Sequence, residues 1–126
     1  MSYTTSLQLG NKHQEMNNTL DFYEKDIDFL KTLLTEVLDK NSVFEVQSEA
    51  EHFQNQFIIQ QNNISELRKK ILLNKQGSSF DAMKHAGKID DGLVLDIEAS
   101  EKELHQIEKI IAGIRKEFKL FVAKRM

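Results

Sequence analysis

Proline, cysteine and tryptophan are absent from this 126-residue chain, and glycine occurs only five times. Without proline, and with so few glycines, the backbone has few obligatory breaks, so long helices are permitted. Without cysteine there is no disulfide and no thiolate metal site, which suits a reducing compartment. No run of large apolar residues exceeds three, as in Phe57-Ile58-Ile59 and Leu93-Val94-Leu95. A transmembrane helix needs about 20 apolar residues, so none is expected. Residues 1–10 lack the basic start and apolar run of a secretory signal, and a cytoplasmic setting is the expectation. Strong charge of one sign is missing as well. A net charge of −3 is too mild to point to nucleic acid as a partner.

What is present is a length normal for one domain and enough apolar residues, 40% of the chain, to build a core. From about Asn11 the apolar residues fall into register. Met16, Leu20, Tyr23, Ile27, Leu30, Leu34 and Val37 are spaced alternately by four and three, a heptad seam. Phe22, Phe29, Leu33 and Leu38 flank it. So wide a stripe suits a helix with two neighbours rather than a simple dimer seam. The first helix is therefore expected over about 11–40, preceded by a flexible tail, 1–10.

Asn41 and Ser42 interrupt the pattern, and Ser42-Val43-Phe44-Glu45 reads as a capping box. A second helix over about 43–75 follows, with the seam Val46, Ala50, Phe53, Phe57, Gln60, Ile64, Leu67 and Ile71. So short a connection forces an antiparallel neighbour. Gly77 has the residue type favoured for a left-handed C-terminal stop. Residues 77–90 form a linker in which Ser79 can cap a short helical turn, Phe80–Ala86. Asp90 or Asp91 can cap a third helix over about 91–124, with the seam Leu93, Ile97, Ser100, Leu104, Ile107, Ile111, Ile114, Phe118 and Phe121. Each helix of some 30 residues spans roughly 45 Å. Helices of this composition are marginal alone, so the stripes must cover one another. The fold class is all-α: an elongated, antiparallel three-helix bundle with coiled-coil-like heptad packing, up-down-up. A fully extended linker would reach roughly 50 Å and allow a parallel third helix. The short turn within it argues for the antiparallel arrangement.

Few residues suggest chemistry. Glu49-Ala50-Glu51-His52 contains one Glu-x-x-His, the spacing used by carboxylate-bridged metal bundles. Such a site needs a second copy, and the third helix offers only Glu101 and His105, four apart. Glu49, His52, Glu101 and His105 are thus candidate metal ligands whose ordinary reading is side chains at the surface or boundary of the bundle, and no cofactor is expected. His13 falls on the first seam. Gln60 and Ser100 interrupt the other two, which reads as register-fixing polar residues or as the lining of a small ligand pocket. No phosphate loop is present, because Gly87-Lys88 lacks the upstream glycine and downstream hydroxyl.

The segment Arg115–Arg125 carries five Lys/Arg against one Glu. A basic amphipathic helix of this kind can lie on an anionic membrane surface, but cations also complement the carbonyl end of a helix. The acidic face Asp21, Glu24, Asp26 and Asp28 of the first helix is expected near the opposite end of the third, giving a charge dipole along the bundle. Phe22, Phe29, Ile59, Leu73, Leu95 and Leu120 fall at or beyond the stripe margins and are the interface candidates. The functional expectation is a non-enzymatic interaction or scaffold module, with a protein partner or a homodimer. A ligand- or metal-binding bundle and a peripheral membrane protein are the alternatives.

Overall fold

The computed structural model describes residues 6–41, 43–84 and 91–125, with side chains described for 7–41, 43–77 and 91–125. Three helices account for almost all of them: α1 (Ser6–Lys40), α2 (Phe44–Lys84) and α3 (Asp91–Arg125). There is no strand among the described residues. At 35, 41 and 35 residues the helices are about 50–60 Å long.

Long-range hydrogen bonds set the directions. His13 Nε2 meets Asn74 Oδ1 at 2.6 Å, and Asn74 Nδ2 donates to the Leu93 carbonyl at 2.8 Å. The start of α1, the late part of α2 and the start of α3 therefore share one end. At the other end Asn41 Nδ2 donates to the Val37 and Arg125 carbonyls, at 2.9 and 3.2 Å. The topology is the up-down-up bundle that the sequence implies. Every seam residue from Met16 to Val37 is buried except half-buried Tyr23, and the seams of α2 and α3 are buried from Val46 to Ile71 and from Ile97 to Phe121. Each helix faces two neighbours, and α1 and α3 pack less closely on each other than either does on α2.

Several boundaries move. α1 begins at Ser6, so residues 6–10 are not tail; Leu9 continues the seam one step before His13 and is only 1% exposed. A leucine at seam spacing helps hold the first turn in place. α2 does not stop at Gly77 but runs on to Lys84. Gly77 lies inside the helix, and a Cβ there would stand 3.1 Å from Leu93 Cδ2. The close approach of α3, with no turn involved, limits the space for a side chain at this position. The segment read as linker is thus helical as far as Lys84, and His85 to Asp90 lie outside the described residues. The cap of α2 also shifts. The Val43 carbonyl accepts from Val46 N and Gln47 N, both at 3.1 Å, which puts Val43 at the cap position; Ser42 lies outside the described residues.

Candidate functional site

The residues beside each seam divide into flanks with different tasks. On the α1–α2 side, Arg68 reaches Asp21 at 2.5 Å and Glu24 at 2.7 Å. Gln61 bridges Asp28 and Lys31. On the α2–α3 side, Lys70 pairs with Glu103 at 2.7 Å and Arg125 with Glu49 at 3.1 Å. On the α1–α3 side, Lys12 pairs with Glu101 at 3.3 Å and Asp26 with Arg115. Exposed pairs contribute little individually, but they hold the register between helices.

Asp26–Arg115 is the least exposed of these pairs on its acidic side, with the Asp26 side chain only 10% accessible. The hydrogen bond from Arg115 to Asp26 raises the pKa of Arg115 further, against desolvation. Burial raises that of the neighbouring Tyr23 hydroxyl, reinforced by Glu108 and Asp26 and opposed by Arg115. The acidic face of α1 therefore does not stand opposite the far end of α3. Asp26 engages the basic segment itself, while Asp21 and Glu24 are spent on Arg68. The expected charge dipole is largely folded into interhelix pairing.

The metal candidates are not brought together. Glu49 sits with Arg125 at the end closed by Asn41, and Glu101 with Lys12 towards the opposite end. His52 and His105 are both exposed. Among the described residues no group of three or more His, Asp or Glu is placed to hold a metal ion. Gln60 is buried, its Oε1 3.4 Å from Asn63 Nδ2. Ser100, also buried, lines a surface groove of about 370 Å³ between α2 and α3. In the basic segment Phe118 and Phe121 are turned into the core, while Leu120 stays exposed. No helix among the described residues is long and apolar enough to cross a membrane.

All six interface candidates lie on the surface, between 53% and 67% exposed. They do not form one patch. Ile59 and Leu73 are fourteen positions apart on α2, Leu95 lies on the outer face of α3, and Leu120 lines a groove beside His52 and Phe53. Phe22 and Phe29 are different: seven residues apart, they make one row on α1 beside the α1–α3 groove. The lower part of this groove, about 390 Å³, is walled by Phe29, Leu33, Val122 and Ala123 over a floor of Leu30 and Phe118, with Asp26, Arg115 and Lys119 completing the lining. Its upper part, about 220 Å³, is lined instead by Glu15, Glu101, His105 and Glu108 with Lys12.

Of the charge around the apolar part, Lys116 and Lys119 belong to the basic segment that the sequence singles out, whereas Lys25 and Lys109 do not. Lys12–Glu101 and Asp26–Arg115 are each separated by 89 positions. That register sets Phe22 level with Ile111 and Phe29 level with Phe118. Lys109, Lys116 and Lys119 then flank the same stretch on α3, and Lys25 flanks it on α1. All four lysines are exposed, and among the described residues none is in an ion pair. The available signal was Lys102, Lys109 and Lys116 at seven-residue intervals.

The chain was compared with family models, with curated proteins and with solved structures, and nothing matches in any of the three.

Proposed function

We propose that this chain is a non-enzymatic interaction or scaffold module that binds a protein partner through an exposed helix face. The observation that carries this reading is the row Phe22–Phe29 on α1: two phenylalanines, each 59% exposed, of which Phe29 lines a mostly apolar groove between α1 and α3. Folding one chain would bury such side chains if its own helices were their only partners, and contiguous apolar patches on a folded surface mark interaction sites. Aromatic side chains supply much of the energy of protein interfaces. Ile59, Leu73, Leu95 and Leu120 contribute less to this reading, because they lie apart from one another, although Ile59 adjoins exposed Ile58 and Leu73 adjoins exposed Leu72. A chain without cysteine suits a reducing setting, and the cytoplasm is where the module is taken to work.

Affinity capture from the native cell tests it. The expected result is a specific partner that is released by excess α1 peptide and lost with the Phe22→Ser/Phe29→Ser double variant, whose helicity and melting stay near those of the parent. A parent protein that is monomeric by sizing and enriches no partner would reject the module reading. A partner retained by the double variant would move the contact to another face.

A further inference from the structure

The lower α1–α3 groove combines two features, an apolar lining and nearby lysines outside any ion pair among the described residues. Its lining is mostly apolar, with the Asp26–Arg115 pair and Lys119 completing it. The register of the α1–α3 pairs places Lys25, Lys109 and Lys116 along the same stretch, and among the described residues none of the four lysines is in an ion pair. A partner that covers Phe29 and Leu33 also displaces water around Lys116 and Lys119. Removing water from a cation without supplying an anion is unfavourable, so a fitting partner brings carboxylates along its edges. The shape sets the backbone. Two helices running side by side leave a concave channel; the Asp26–Arg115 pair crosses it above Phe29, and Phe22 stands about 10 Å from Phe29 along α1, beyond that crossing. A helix fills such a channel with its own hydrogen bonds already made. An extended segment would bring unpaired amides to a surface whose described residues offer no strand edge.

Resting on the interaction-module reading, we propose that this groove receives one amphipathic helix of a partner protein, with apolar residues at heptad-like spacing and acidic residues flanking them. A second copy docking through the same groove would set lysines against lysines, since a two-fold contact uses one patch twice. A flat anionic lipid surface would touch the rims without reaching Leu30 and Phe118 on the floor.

Site-specific photo-crosslinking of the full chain in its native cells decides the matter. A crosslinking residue replaces Phe29 in one variant, and Ile59 or Leu73 in the controls. The expected result is an adduct from position 29 that maps to a partner segment of net negative charge with apolar residues every three to four positions. Affinity for that segment, as a synthetic peptide, should fall roughly thirtyfold with Phe29→Asp. It should also fall with Lys116→Glu/Lys119→Glu and with added salt. All three residues are exposed, so both variants should keep the parent's helicity and melting, which circular dichroism checks. A position-29 adduct to lipid, to a second copy, or to a basic or neutral segment overturns the proposal. Adducts from positions 59 or 73 alone also overturn it but leave the interaction module standing. Silence at all three positions overturns it as well, and the module reading is then decided by the affinity capture.

Discussion

At one end of the bundle the core is aromatic, and at the other it is polar. Phe53 and Phe57 of α2 meet Phe118 and Phe121 of α3, with Phe53–Phe118 and Phe57–Phe118 edge to face at 5.2 and 5.5 Å between ring centres. At the opposite end the equivalent layer holds His13, Asn74 and Ser100, all buried. The aromatic end gains from apolar area and ring geometry, worth about 1 kcal/mol per favourable ring pair beyond burial. Such packing tolerates small sliding of one helix past another. The polar end gains little net energy, because folding exchanges water hydrogen bonds for internal ones. It is, however, directional. Asn74 Nδ2 is committed to the Leu93 carbonyl, so its Oδ1 faces His13 and requires a proton on Nε2. One side chain thereby ties α2 to both neighbours: a slip of α1 would break one bond, a slip of α3 the other, and a slip of α2 both. One end supplies stability, and the other fixes alignment.

The largest expected effect comes from emptying the aromatic end. Phe57→Ala removes a ring that is 1% exposed and contacts both Phe53 and Phe118. Chemical denaturation should show a loss of about 3–5 kcal/mol. A loss below about 1 kcal/mol would mean that this end does not dominate stability. The polar end should lose less, and in a different manner. Asn74→Ala leaves the His13 N–H and the Leu93 carbonyl without this partner, costing about 1–3 kcal/mol. Combining it with His13→Leu should recover part of that loss, because the second change removes one orphaned group. A double-mutant cycle measures the recovery, and strict additivity would show that the two side chains are not coupled. Gln60→Leu is smaller again. It replaces a buried polar residue one seam step after Phe57, and stability should change by no more than about 1 kcal/mol in either direction. If Gln60 helps fix register, the variant should show broadened or doubled amide resonances despite its unchanged melting.

The two ends were not equally legible in the sequence. The aromatic end follows directly from the heptad pattern, since Phe53, Phe57, Phe118 and Phe121 are seam residues and apolar. His13, Gln60 and Ser100 were also placed correctly, because position on a seam decides burial whatever the residue. Asn74 was missed. It continues the seam three residues after Ile71, but an amide does not register in a search for apolar periodicity. Asn41 was read only as an interruption, whereas its side chain closes the ends of α1 and α3 together. Burial margins were predictable from the width of the stripes, and all six interface candidates are exposed. What spacing along one helix does not report is which flank faces which neighbour. The pairing of Asp26 with Arg115, and the lysines around Phe29, depend on that facing.

Gly77 gives the finest test of how the polar end is built, because the sequence and the structure assign it different roles. As a helix terminus in a left-handed conformation it would resist any side chain, and Gly77→Ala would destabilise by about 1 kcal/mol or more. Inside α2, alanine gains about 1 kcal/mol over glycine in helix propensity. Against that gain stands the contact at 3.1 Å with Leu93 Cδ2. That atom is the far end of a flexible, half-buried side chain, able to give by a few tenths of an ångström. The expected net effect is therefore a small stabilisation, below about 1 kcal/mol. Gly77→Val should reverse the sign, since a branched side chain presses harder on Leu93 and loses most of the propensity gain. Pairing Gly77→Val with Leu93→Ala should restore part of the loss if the contact with α3 is its cause. Destabilisation by Gly77→Ala that Leu93→Ala does not relieve would mean that α2 ends at Gly77 after all, and that the polar end is held by His13 and Asn74 without the last turns of the helix.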